Sequence, residues 1–158
     1  MLFRSNADYF YRYAEQYDMY HADMEMDAII VDINHFHMMN ERFGREYSDE
    51  VLKRVGAAIL EFIGKDGGIV GRREADTFLA YGPHKEDYMP ILTNVANEFS
   101  GEGAQNRIRL RIGVYPNVDK TIEIERRFDH AKMAADNIKN RVSQTIAFYD
   151  KQIGRAHV

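Results

Sequence analysis

Two charged motifs stand at the ends of strand-like segments in this 158-residue chain, and they constrain its fold more than any other feature. The near-continuous apolar run 28–33 has the length of a strand that is buried on both faces, and Asp32 lies at its end. Residues 69–81 are predicted to form a two-stranded hairpin with Asp76 in its turn. If the hairpin lies beside the first strand, the two carboxylates converge next to the backbone carbonyl of Ile33.

Converging carboxylates are typical of a metal site. Magnesium is commonly held by one or two carboxylates together with substrate phosphates, so Asp32 and Asp76 are a minimal ligand set for a metal–triphosphate site. The alternative is structural: Asp32 caps the following helix and Asp76 is an ordinary turn residue. The residue types alone leave both interpretations open.

The apolar periodicity predicts an alternation of helices and strands. The expected helices are 7–22, 36–43, one with an apolar stripe from Val51 to Phe62, 91–99 and 124–138, and the expected strands are 28–33, 69–72, 77–81, 107–115 and 145–149. This order predicts an α+β domain in which helices pack on a mainly antiparallel five-stranded sheet. Arg107, Arg109 and Arg111 alternate along the fourth strand and are interpreted as a solvated face.

Composition argues against several classes of function. The net charge of −4 disfavours broad binding to nucleic acid, and no apolar run approaches the roughly 20 residues of a membrane span. The chain contains no cysteine, so it has neither disulfides nor thiolate metal sites. We therefore expect a cytoplasmic protein with no membrane segment in this fragment and no nucleic-acid partner.

The length fits one domain, which we assign to residues 6–152. The two ends, 1–5 and 153–158, look like translated sequencing-adapter DNA and are predicted to be non-native. On that interpretation the chain is a piece of a longer protein, and neighbouring domains lie outside it.

The two motifs together resemble those of the GGDEF family of diguanylate cyclases. The first family motif reads D-x-D-x-F-K-x-x-N-D-x-x-G-x-x-x-G-D-x-x-L, and this chain keeps Asp32, Phe36, Asn40, Gly44, Asp49 and Leu52 at matching positions. The family signature, R-x-G-G-D/E-E-F, corresponds here to Arg72-Arg73-Glu74-Ala75-Asp76-Thr77-Phe78. The resemblance covers residues 6–150 and implies an adenylyl-cyclase-like, ferredoxin-like α+β fold.

The resemblance also implies a reaction and a set of site residues. Family members join two GTP molecules into cyclic di-GMP across a homodimer, each 3′-hydroxyl attacking the α-phosphate of the other GTP. Mg²⁺ would be held by Asp32, the backbone carbonyl of Ile33 and Asp76, the last being the catalytic residue of the degenerate signature. The nucleotide would be contacted by Asn40 and Asp49 at the guanine edge and by Phe36, His37 and Lys139 elsewhere.

Several departures from the family pattern affect the phosphate end of this site. Glu74 and Ala75 replace two glycines, which adds side chains and a negative charge where the backbone approaches the nucleotide. Thr77 replaces the second carboxylate of the signature, and Asn34 replaces the second aspartate of the D-x-D pair. His37 stands in place of a phosphate-binding lysine and is a weaker source of positive charge.

Two further family features are missing. Asp136 aligns with a phosphate-binding lysine of the C-terminal helix, and Lys139, three residues on, is a candidate to substitute on the same helical face. The family's product-binding motif R-x-x-D is replaced by residues 65–68, so feedback inhibition there is not expected. Because phosphoryl transfer depends on positioning and electrostatic stabilisation, we expect the cyclase to be inactive.

We therefore predict a regulatory pseudoenzyme of cyclic di-GMP signalling that retains GTP binding and controls an attached phosphodiesterase. Residues 146–150 resemble the junction at which related domains run into an EAL phosphodiesterase domain, so an adjacent EAL or sensory domain is the expected partner. The alternatives are a slow but active diguanylate cyclase, and a dimerisation or docking scaffold without nucleotide binding.

Overall fold

The computed structural model describes residues 2–3, 7–101, 108–139, 145–150 and 155–157. The helices of this part of the chain are α1 (Ala7–Tyr20), α2 (Phe36–Phe43), α3 (Arg45–Ile63), α4 (Met89–Glu98) and α5 (Ile124–Asn137), with a 3-10 turn at Gly64–Asp66. The strands are β1 (Leu2–Phe3), β2 (Met26–Ile33), β3 (Ile69–Glu74), β4 (Thr77–Pro83), β5 (Leu110–Tyr115), β6 (Ile146–Asp150) and β7 (Arg155–His157).

One mixed sheet carries these strands in the order β1-β3-β4-β2-β5-β6-β7. The predicted five-stranded, mainly antiparallel sheet is confirmed as β3-β4-β2-β5-β6, because only the β5–β6 pair among these is parallel. The short edge strands β1 and β7 extend it beyond the prediction and lie in the two ends interpreted as non-native. Their origin, like the 6–152 domain boundary, stays a prediction.

The central strand β2 is buried on both faces, as its apolar composition predicts. Ile29, Val31 and Ile33 belong to a core with α2, α3 and α4, whereas Ala28 and Ile30 belong to a second core with α1 and α5. This alternation follows from the two-residue period of a strand. Packing of the two helical layers fixes the position of β2. The polar residues at its two ends are therefore also held in place.

Some element boundaries differ from the predictions. The helix α1 ends at Tyr20 rather than residue 22, because residues 21–23 form a turn in which the His21 amide donates to the Asp18 carbonyl. The strand β5 begins at Leu110, and residues 102–107, which include the start of the predicted fourth strand, lie outside the described residues. No helix in the described part of the chain is long and apolar enough to span a membrane.

A buried carboxylate, Asp27, fixes two loops to the start of β2. It is fully buried and accepts from the Tyr88 hydroxyl at 2.5 Å, from the Asn117 amide at 2.9 Å, from the Lys85 amide at 3.1 Å and from the His84 ring at 2.8 Å. Four donors offset the cost of removing one carboxylate from water. Asp27 therefore ties the β4–α4 and β5–α5 connections to the central strand.

His84 gives this cluster a predicted pH dependence. Burial lowers the pKa of His84, but hydrogen bonds to Asp27 and Glu86 outweigh it and raise the pKa above its ordinary value of 6.5. A raised folded-state pKa contributes stability that is present below 6.5 and is lost as the pH rises through the raised value. We expect His84→Gln to remove this part of the pH dependence, as measured by urea unfolding at about pH 6 and about pH 8.5.

The measurement must compare variants, since the pKa of His130 is also shifted. Burial lowers the pKa of His130, so this residue changes the free energy of unfolding with pH in the opposite direction. The pH dependence of the wild-type protein alone therefore does not isolate the contribution of His84. His37→Gln is the matched control because His37 is exposed on α2. If the free energy of unfolding changes equally with pH in wild type and in His84→Gln, the Asp27–His84 contact does not couple protonation to folding.

Candidate functional site

The hairpin turn and the start of β5 converge on the end of β2. The Ile33 amide donates to the Asp76 carbonyl at 3.1 Å, and the Asn34 amide donates to the Arg109 carbonyl at 2.8 Å. These two bonds hold the chain after Asp32 between the β3–β4 turn and β5. The structure thus brings Asp32 and Asp76 to the same end of the sheet.

Asp32 already has a partner on each carboxylate oxygen. The Thr77 hydroxyl donates to Oδ1 at 2.8 Å and lies 3.4 Å from Asp76 Oδ1, so it sits between the two carboxylates. Arg111 Nη2 lies 3.8 Å from Asp32 Oδ2. Burial raises the pKa of Asp32, and the Thr77 hydrogen bond and the Arg111 charge oppose that rise.

The degenerate signature forms a tight turn between β3 and β4. Glu74 pairs with Thr77 across the turn, next to a register irregularity between Arg72 and Glu74, and the Glu74 side chain is 66% exposed. Among the described residues other than glycine, only His35 and Asn117 have positive φ, so Ala75 and Asp76 are not strained. The loss of the family glycines therefore adds side chains without distorting the turn.

Phe78 at the end of the signature is a core residue. It is 2% exposed and packs in the cluster that contains the α3 and α4 residues. Its register partner on β2 is Val31. The phenylalanine position thus anchors the hairpin, while Thr77 before it contacts Asp32.

Asn40 and Asp49 lie on two helices joined by a single residue. The α2 helix ends at Phe43 and α3 begins at Arg45, with Gly44 between them at φ 90°. Asn40 is half-buried in the last turn of α2, and Asp49 is exposed in the second turn of α3. The two residues therefore flank one sharp connection.

Ser48, which stands where the family has glycine, is buried at this connection. Its hydroxyl donates to the Gly44 carbonyl at 3.1 Å, and its backbone amide donates to the same oxygen at 3.2 Å. The added side chain is therefore satisfied within the α2–α3 connection. It reinforces the sharp turn at Gly44.

The other predicted nucleotide residues are dispersed. Phe36 is buried in the core at the start of α2, and His37 is exposed beside it. Lys139 is exposed in the turn that follows α5, where its amide donates to the Asp136 carbonyl at 3.2 Å, and its role as a substitute stays a prediction. Residues 140–144 lie outside the described part of the chain.

The residues present can be tested against the magnesium ion that the resemblance implies. The available carboxylates are Asp32 and Asp76, and the described residues contain no group of three or more acidic or histidine side chains arranged to hold a metal. Mg²⁺ requires oxygen ligands in nearly ideal octahedral geometry. A magnesium ion would compete with the Thr77 hydrogen bond and with the Arg111 charge 3.8 Å from Asp32, so the arrangement fits a neutralised carboxylate better than a magnesium ligand.

Arg111 is the site residue that the sequence interpretation missed. Its expected place on a solvated face is wrong, since the side chain is 16% exposed and lies between Asp32 and the Lys139 carbonyl, to which Nη1 donates at 3.2 Å. Strand alternation correctly predicts its face but not its neighbours. Arg109, two residues earlier, is exposed as predicted.

A separate cavity of about 230 Å³ lies between α2 and the start of β5. It is lined by Asn34, His35, Met38, Met39, Arg42, Phe43 and Arg109. At 100° per residue these α2 side chains lie on the side of the helix away from His37, while Phe43 lies only about 60° from Asn40. The cavity therefore borders the predicted guanine site at Phe43.

Comparisons with known proteins define the class of this domain. The model of the family "Diguanylate cyclase, GGDEF domain" matches residues 5–145, so the chain belongs to the GGDEF family, a family of cyclic di-GMP signalling. The Vibrio cholerae diguanylate cyclase VdcA is 30% identical over 87 residues, which cover 53% of this chain and 25% of that protein. The chain thus spans well under half the length of this curated relative.

Solved structures show the same fold at lower identity. The active GGEEF domain of a diguanylate cyclase from Vibrio cholerae has a TM-score of 0.71 at 20% identity, covering 89% of this chain and 92% of that one. An EAL/GGDEF domain protein from M. capsulatus has a TM-score of 0.65 at 19% identity, covering 81% of this chain and 86% of that one. Together they confirm the α+β cyclase-like fold.

Proposed function

We propose that this chain is a GGDEF domain that binds GTP without converting it into cyclic di-GMP and acts as a regulatory domain. Members of the family bind GTP and act as dimers. The retained pair Asn40 and Asp49, on either side of Gly44, supports guanine recognition, since an amide and a carboxylate match the donors and acceptors of the guanine edge. A homodimer of this chain is part of the same proposal.

The proposed inactivity rests on the contacts of the Asp32 carboxylate. The Thr77 hydrogen bond and the Arg111 charge 3.8 Å away partly satisfy its two oxygens, so a magnesium ion held as in the family, with the Ile33 carbonyl and Asp76 as further ligands, would compete with both. Asp136, which adds to the rise in the Asp32 pKa, stands where the family has a phosphate-binding lysine. The electrostatic terms on which phosphoryl transfer depends are therefore weakened.

The proposed output is control of an attached module. Residues 146–150, which form β6, resemble the junction with an EAL phosphodiesterase domain, and one structural relative combines the EAL and GGDEF names. Such control requires that the domain has two conformations. A nucleotide bound near α2 and α3 would shift the population toward one conformation only if it binds the two with different affinities. Phosphodiesterase activity of the full-length protein with and without GTP would measure this directly.

The decisive experiment measures binding and turnover in one sample. Calorimetric titration with GTP is followed by incubation and chromatography for cyclic di-GMP. We expect binding without product. Formation of cyclic di-GMP would instead establish an active cyclase. If a folded protein gives no heat of binding at millimolar GTP, the remaining function is a docking scaffold without nucleotide binding.

Asn40→Ala tests the guanine assignment. We expect it to reduce the preference for GTP over ATP by about tenfold or more, because a base-edge donor and acceptor would be left unpaired. Asn97→Ala is the matched control, since Asn97 is an exposed asparagine on α4. An unchanged GTP-to-ATP ratio in Asn40→Ala would place guanine recognition elsewhere.

A further inference from the structure

Asp32 lies in a row of cross-strand neighbours that the sheet register dictates. Its partner on β4 is Thr77 and its partner on β5 is Arg111. Side chains that are directly opposite in an antiparallel pair point to the same face and lie within contact distance. The row is therefore fixed by the backbone of three adjacent strands rather than by mobile loops.

Both terminal nitrogens of the Arg111 guanidinium have a partner. Nη2 lies 3.8 Å from Asp32 Oδ2, and Nη1 donates to the Lys139 carbonyl at 3.2 Å. The side chains of Arg111 and Asp32 are 16% and 18% exposed, so both remain partly accessible to solvent. Solvent screens such a partly buried pair less than a surface pair.

Thr77 contacts the other oxygen of Asp32. Its hydroxyl donates to Oδ1 and takes one of the two lone pairs of that oxygen. The Asp136 carboxylate, which also acts on Asp32, is paired with Lys132 Nζ at 2.9 Å. The positive group directly beside Asp32 is thus the Arg111 side chain.

We propose that Arg111 takes the place of a divalent cation at Asp32: its guanidinium neutralises the carboxylate and presents positive charge to the phosphates of a bound nucleoside triphosphate, so that binding does not require magnesium. Guanidinium groups match phosphate oxygens in bidentate geometry and carry a permanent charge. The inference rests on the proposed GTP binding and adds to it the source of the positive charge.

The test compares GTP binding in excess EDTA with binding in excess Mg²⁺. We expect wild type to bind GTP equally in both, within about threefold, and Arg111→Ala to lose about tenfold in affinity in EDTA. Arg109→Ala removes an exposed charge two positions earlier on the same face and is the matched control, with an expected change below about twofold. A wild-type affinity that falls more than about tenfold when Mg²⁺ is removed would overturn the inference.

Asp32→Asn distinguishes more sharply between a magnesium ion and Arg111 as the positive partner of Asp32. A magnesium ligand at this position predicts that the variant loses GTP affinity. The arrangement with Arg111 predicts an affinity in EDTA no lower than that of wild type, because the guanidinium is released from its carboxylate. The asparagine oxygen still accepts from Thr77, so the local fold has a conservative replacement.

A metal-only measurement distinguishes failure of this inference from failure of the proposed function. Mn²⁺ without nucleotide, followed by electron paramagnetic resonance, reports directly on Asp32. We expect no Mn²⁺ bound to wild type, and wild-type binding that disappears in Asp32→Asn would overturn the inference. Absence of GTP binding in both EDTA and Mg²⁺ would refute the proposed GTP binding and, with it, the phosphate role of Arg111, while the Mn²⁺ result still decides whether Asp32 is closed to metals.

Discussion

Replacing Arg127 with methionine is expected to lower the free energy of unfolding by about 3–5 kcal/mol, because it leaves a partly buried carboxylate without its main partner. Arg127 is 5% exposed on α5 and lies 2.5 Å from Asp18 Oδ2 on α1. It also donates to the Tyr81 hydroxyl at 2.9 Å and to the backbone carbonyls of Ile122 and Lys120 at 2.9 and 3.0 Å. This one guanidinium joins α1, β4 and α5.

Urea unfolding of the single and double variants measures the contribution of this network. Asp18→Asn combined with Arg127→Met should recover part of the loss, since the uncompensated charge is then absent. Asp18 would keep the Tyr81 hydroxyl, which donates to Oδ1 at 2.7 Å, and the Lys120 ammonium at 3.5 Å, but the latter is too distant to replace the Arg127 charge fully. A loss below about 1 kcal/mol for Arg127→Met would show that the network behaves as a surface ion pair.

Gly113→Ala is expected to destabilise the domain by about 3 kcal/mol or more, at or above the upper end of the usual range for overpacking. A Cβ at Gly113 would lie 2.0 Å from the Ala131 carbonyl oxygen and 2.8 Å from the Ala135 nitrogen. These are backbone atoms of α5, so the whole helix must move away from β5. Small changes of rotamer cannot relieve the contact.

Gly64→Ala is the matched glycine control for thermal or urea unfolding. Its added Cβ would meet only the flexible side chain of Leu60, with the nearest atom at 3.2 Å, and its φ of −73° suits alanine. We expect a change within about 1 kcal/mol there. Equal effects at the two glycines would contradict the view that the close approach of α5 to β5 limits the packing at Gly113.

The Gly113 contact also bears on the candidate site. The chain leaves α5 at Asn137, and the carbonyl of Lys139, two residues later, accepts from Arg111. A shift of α5 would therefore displace the group that orients the guanidinium beside Asp32. Variants that disturb this contact are expected to affect GTP binding as well as stability.

The secondary structure was largely predictable because it depends on local pattern. The apolar run of β2 predicted a strand buried on both faces, and its residues alternate between two cores. The helix α5 was predicted to within one residue at its C-terminal end, ending at Asn137 rather than 138.

The candidate site was only partly predictable. The convergence of Asp32 and Asp76 followed from a buried strand beside a hairpin, and the family resemblance supplied the candidate roles of Asn40 and Asp49. The positions of those four residues are described, whereas their contacts with a nucleotide remain predictions. The place of Arg111 was predicted wrongly, because a charged residue on an alternating strand usually faces water.

The sequence by itself determined the family, the order of helices and strands, and the residue types at the two motifs, because these depend on local periodicity and on spacing along the chain. Only the tertiary structure decided that Thr77 and Arg111 flank Asp32, with Thr77 separated from it by 45 positions. The physical reason is that side-chain alternation specifies the face of a strand but not the register or identity of its neighbours. The sheet register therefore places a threonine hydroxyl and an arginine beside the carboxylate that the sequence predicts as a metal ligand.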